Sequence, residues 1–60
     1  MKVELTTKIG RLNKGTVGEV PDDQAEKYGI GKNYISPKAL NVIIKDNTYE
    51  IMNGLLKEVK

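Results

Sequence analysis

The 60-residue chain has no cysteine and no histidine, and neither tryptophan nor phenylalanine. Without sulfur or imidazole it can have no disulfide scaffold, Cys/His zinc site, thiol nucleophile or histidine base. Asp22, Asp23 and Glu26 form its one acidic cluster. Their oxygens suit a hard cation in principle, but helix capping accounts for the same residues with less assumption. No nucleophile or second carboxylate group is placed for acid–base work, so the expectation is a non-enzyme without metal or cofactor. No apolar run approaches the roughly 18 residues of a membrane span. Glu4 interrupts the N-terminus where a signal peptide needs its apolar stretch. A soluble cytoplasmic protein without membrane association is the expectation.

What is present is mild in charge and short in reach. The formal net charge is +2. Its excess lies in residues 1–20, where Lys2, Lys8, Arg11 and Lys14 face only Glu4 and Glu19. Sixty residues make one domain over 1–60, small enough that only about 60% of the unfolded chain's surface is buried on folding.

Val3, Leu5, Thr7 and Ile9 alternate with Lys2, Glu4, Thr6 and Lys8, the period of a half-buried strand ending at Gly10. Thr16–Val20 is a second strand, and Gly18 within it marks a bulge or a close backbone approach. Pro21 stops that strand. Asp22 to Gly29 then reads as a short helix, with Asp22 or Asp23 as cap and Gly29 at its left-handed end. Ala25, Tyr28 and Ile30 are its expected core contacts. Residues 30–40 are connection, with Ser36 able to cap a turn starting at Pro37. Asn41–Lys45, containing Val42-Ile43-Ile44, is a third strand, Asp46-Asn47 a turn, Thr48–Met52 a fourth strand, Asn53-Gly54 a turn and Leu55–Val59 a fifth strand. Tyr49, Met52, Leu56 and Val59 also fall at helical spacing, so a C-terminal helix is the alternative. Asn53-Gly54 in its middle favours strands, because glycine costs about 1 kcal/mol against alanine there. Five short strands with no long crossover describe a mostly β, small antiparallel barrel, with one helical turn inserted around 22–28.

Lys14-Gly15-Thr16-Val17-Gly18-Glu19-Val20 resembles the KOW motif, Lys-Gly-x-x-Gly-x-Val, through Lys14, Gly15, Gly18 and Val20. The order of elements resembles five-stranded SH3-like barrels, a build common among small proteins of phages and mobile elements. The resemblance implies that fold and a binding role. Glu19 and Pro21-Asp22-Asp23 beside the motif weigh against nucleic acid, and the lack of tryptophan weighs against polyproline binding.

The expectation is therefore a non-catalytic binding module, an accessory protein docking on a protein partner. The alternative is a KOW-like nucleic-acid binder whose Lys8, Arg11 and Lys14 touch phosphates. Tyr28 and Tyr34, in the long excursion, are the better aromatic binding candidates. Ile43 gives its strand apolar groups on both faces. Cover by residues 21–40 is the favoured reading, and an exposed partner patch is the other.

Overall fold

Lysine and glutamate alternate with valine and leucine over Lys2–Leu5, and this forms the first strand, β1, with Val3 and Leu5 buried. The structure is a computed structural model describing residues 1–60. It continues with β2 (Val17–Glu19), α1 (Asp22–Tyr28), a 3-10 turn (Gly31–Asn33), β3 (Ala39–Ile44), β4 (Asn47–Met52), a second 3-10 turn (Asn53–Leu55) and β5 (Leu56–Glu58). All strand pairs are antiparallel, in the order β4-β3-β2-β1-β5. The sheet curls strongly into a half-barrel whose two edges are β4 and β5. Residues 48–60 are thus strands and a turn, and the helical alternative is overturned.

Period two decides the core. Leu40, Val42 and Ile44 of β3 point inward with Ile51 of β4, Leu56 of β5, Val20 and the two valine and leucine positions of β1. Each fully buried aliphatic side chain contributes about 1.5–3 kcal/mol relative to exposure. Ala25 of α1 is buried against this core, with Tyr28 and Ile30 partly covered. Gly18 faces inward too. A Cβ there would lie 2.7 Å from Val42 Cγ1 and 2.9 Å from the Ile43 carbonyl oxygen. The glycine is a close approach that lets β3 fold over β2.

Several boundaries differ from the sequence expectations. β1 stops at Leu5, and Ile9 instead exchanges backbone hydrogen bonds with Leu12, both 2.9 Å. Pro21 is the residue before α1, and no side chain caps the helix. The Pro21 carbonyl accepts the first helical N–H groups, from Gln24 and Ala25 at 3.1 Å, while Asp22 and Asp23 favour the first turn by charge alone. No turn starts at Pro37; the 3-10 turn forms earlier, at Gly31–Asn33. The β3–β4 turn is Lys45-Asp46, one residue earlier than Asp46-Asn47, with φ of 48° and 68°. Pairing of Ile44 with Asn47 keeps Ile44 inward, and that packing overrides the turn preference of the next dipeptide.

Asp22 is occupied by the Met1 amine, which donates to its Oδ1 at 2.7 Å and to the Val20 carbonyl at 2.8 Å. This hydrogen bond is the main cause that raises the amine above its ordinary 8.0 and lowers Asp22 below its ordinary 3.8. The amine's contribution to stability is full below pH 8.0 and is lost as pH rises through its elevated value. The Asp22 contribution is full above pH 3.8 and is lost as pH falls through its depressed value. Both groups are exposed, so the slopes are shallow. Thermal melts across pH will show Asp22→Asn flattening both flanks; unchanged flanks would refute the pairing.

Candidate functional site

Two elements hold the candidate basic loop. Ile9 and Leu12 close a tight turn with Gly10 at φ 57° and Arg11 at its tip. Farther along, Thr16 donates its N–H and its hydroxyl to the Asn13 carbonyl, at 3.1 and 2.6 Å, and the Gly15 N–H reaches the Leu5 carbonyl at 2.8 Å. The loop is therefore fixed by its own backbone, which lowers the ordering cost of any ligand contact.

This fixed loop separates the predicted trio. Lys14 lines a shallow cleft with Glu4 and Lys57, and Lys57 Nζ lies 2.9 Å from Glu4 Oε1. Lys8 is exposed and lines no cleft. Arg11 alone reaches β4. It lines an apolar cleft of about 360 Å³ with Ile9, Leu12, Tyr49, Glu50 and Ile51. It also lines a neighbouring cleft of about 240 Å³ with Asn13, Lys45, Asn47 and Tyr49. Arg11, Leu12 and Tyr49 belong to both. Lys45 and Tyr49 are thus site residues that the sequence reading missed, because their proximity to Arg11 is purely tertiary.

Tyr28, Tyr34 and Ile43 do not form one face. Tyr28 is half-buried in a polar cleft of about 380 Å³ that includes Asp23, Lys38, Asn41 and Glu50. The Lys27 and Lys38 ammonium groups lie 5.3 and 5.7 Å from the centre of its ring. Tyr34 lies over Gly54, and Ile35 beside it is 72% exposed. Ile43 pairs with Thr48 and Glu19 on the outer face of the sheet. It is 45% exposed, which corrects the expectation that residues 21–40 cover it. That excursion stops short because Asn53 pins it elsewhere. The buried Asn53 amide donates to the carbonyls of Tyr28, Gly29 and Ser36 at 3.1, 3.1 and 2.9 Å. Its Oδ1 accepts the Lys38 N–H at 3.2 Å.

The edge of β4 completes the site. A two-residue hairpin alternates bonded and non-bonded pairs, starting from Ile44 and Asn47. Asn47, Tyr49 and Ile51 therefore bond to β3, a phase that continues in the Asn53 N–H bond to the Lys38 carbonyl at 2.9 Å. The N–H and C=O groups of Thr48, Glu50 and Met52 point the other way. No loop, side chain or terminus bonds to them. This unpaired row runs beside the apolar cleft. No protein-family model, curated protein or solved structure matches this chain.

Proposed function

We propose that this chain is a non-catalytic protein-interaction module, a cytoplasmic accessory protein that takes an extended segment of a partner protein as a sixth strand along β4. The observation that carries this reading is the unpaired backbone row of Thr48, Glu50 and Met52 beside the cleft of Ile9, Leu12, Tyr49 and Ile51. Main-chain bonds would supply affinity, and alternate side chains entering the cleft would supply selectivity. Glu50 is the one charge on that row, and it restrains indiscriminate edge pairing.

Peptides selected from a displayed random library of about ten to twelve residues, a strand's length, are the probe. Glu50→Pro removes one outward N–H and leaves the β3 bonds intact. It is expected to weaken the selected peptides about tenfold or more, with the fold retained by circular dichroism. Peptides that bind Glu50→Pro as tightly as the parent would refute edge pairing; a peptide N-methylated along its backbone gives the same test without altering the protein.

The second reading is a KOW-like nucleic-acid contact, favoured by the convergence of Arg11 and Lys45 on one cleft. It requires binding to generic DNA or RNA at low salt that falls steeply as salt rises.

A further inference from the structure

Resting on that protein-docking reading, we infer that the partner segment carries an acidic side chain, and that Arg11 and Lys45 bind its carboxylate. The two cations are distant in sequence. Arg11 sits at the tip of the turn closed by Ile9 and Leu12, and Lys45 opens the β3–β4 turn. The fold brings both to the cleft of about 240 Å³, with Asn13, Asn47 and Tyr49.

This is the one cleft of the molecule lined by cations and by no carboxylate. Lys14 and Lys57 share theirs with Glu4, Lys27 and Lys38 share theirs with Asp23 and Glu50, and the apolar cleft contains Glu50. Asp46 follows Lys45 in the turn but does not line the cleft. The ion pairs within the chain join the Met1 amine to Glu19 and Asp22, and Lys57 to Glu4. Arg11 and Lys45 are left without an acidic partner. A guanidinium presents a planar pair of donors to a carboxylate. The Asn47 amide, which donates to the Lys45 carbonyl at 3.4 Å, has a second N–H.

The anion site adjoins the strand site, because Arg11, Leu12 and Tyr49 line both clefts. A segment lying along β4 can therefore place an apolar side chain between Leu12 and Ile51 and an acidic one between Arg11 and Lys45. Strand geometry keeps residues on one face at even spacing, so the two side chains are separated by about two or four residues, roughly 7–13 Å.

A second copy of the chain fits less well. Self-pairing that uses every free group of the row is centred on Glu50 and opposes that carboxylate to its own copy, a destabilising cross-strand pair.

The test uses the full chain and the selected peptides described above. The expected result is that acid-bearing peptides dominate, with the acid at even spacing from an apolar residue. Changing that acid to its amide, or Arg11→Gln or Lys45→Gln in the protein, is expected to weaken binding about three- to tenfold, less at high salt. Arg11 and Lys45 are both exposed, and thermal melts of the two variants check that folding is intact. If neutral peptides dominate and both glutamine variants bind like the parent, this inference is overturned while edge pairing stands. If the peptides bind Glu50→Pro at full strength, the docking reading itself fails. A single-stranded oligonucleotide that displaces every peptide from Arg11 and Lys45 would overturn the acidic-peptide assignment. So would concentration-dependent growth in scattering mass that Glu50→Pro abolishes, since the occupant would then be a second copy.

Discussion

Asn53→Ala is expected to lower the stability of this domain by about 3 kcal/mol or more, with a cooperative urea transition shifted to much lower midpoint. Asn53 is fully buried, and one amide group serves three carbonyls and one N–H. Alanine removes the amide that serves the Gly29 and Ser36 carbonyls and the Lys38 N–H, while the Tyr28 carbonyl keeps its bonds from the Ile35 and Ser36 N–H groups. Each unsatisfied buried group costs about 1–3 kcal/mol, and relaxation of the excursion recovers part of the total. A domain of this length has roughly 3–9 kcal/mol to lose. Asn53→Asp is expected to be at least as harmful, because it exchanges the donating amide for an oxygen that faces three carbonyl oxygens. A loss below about 1 kcal/mol for alanine would show that the excursion is held by something else.

Gly18→Ala is the second large effect, at about 2–3 kcal/mol of destabilisation. The backbone there is not in the left-handed region, so conformational freedom is not the issue. The added methyl meets Val42 Cγ1 at 2.7 Å, Ile44 Cγ1 at 2.8 Å and the Ile43 carbonyl oxygen at 2.9 Å. Two of these neighbours are buried core side chains, and the third is backbone held in the sheet. Combining Gly18→Ala with Val42→Ala is expected to restore only part of the loss, because the carbonyl clash persists and a cavity term enters. Full restoration, or a single-variant loss under about 1 kcal/mol, would contradict the close-approach account. Equilibrium unfolding of the single and the double variant decides it.

These two residues also show how far the sequence could be read. Gly18 was legible, since a lone glycine between strand residues signals a bulge or close approach. Asn53 was not, because Asn-Gly carries a turn signal and the turn does form at Asn53–Leu55. Strand parity held the missing clue: Tyr49 and Ile51 face inward, and Asn53 is the next position in that phase. The same parity placed Ile43 opposite Val42 and Ile44 but could not say whether another segment lies over it. Lys45 gives no local sign of positive φ, so the turn was read one residue late. The core packing of Ile44, a tertiary effect, set the actual register.

The candidate site was legible only in part. Arg11 stood out as a charge in a glycine-bounded loop. Its grouping with Lys8 and Lys14 rested on spacing along the chain, which the two tight turns of the loop undo. Its companionship with Lys45 and Tyr49 depends on the sheet curling the β3–β4 hairpin toward the β1–β2 loop. The free edge could not be read either, since which strand ends a sheet follows from topology and not from the composition of β4.

Residue-resolved amide hydrogen exchange, with and without a selected peptide, tests the central claim most directly. In the free chain, Thr48, Glu50 and Met52 amides are expected to exchange fast, while Tyr49 and Ile51 beside them are protected by β3. On peptide binding, the three outward amides gain protection and the inward ones change little. Outward amides that stay fast in the bound state, with new protection confined to another surface, would contradict the account of β4 as the docking edge.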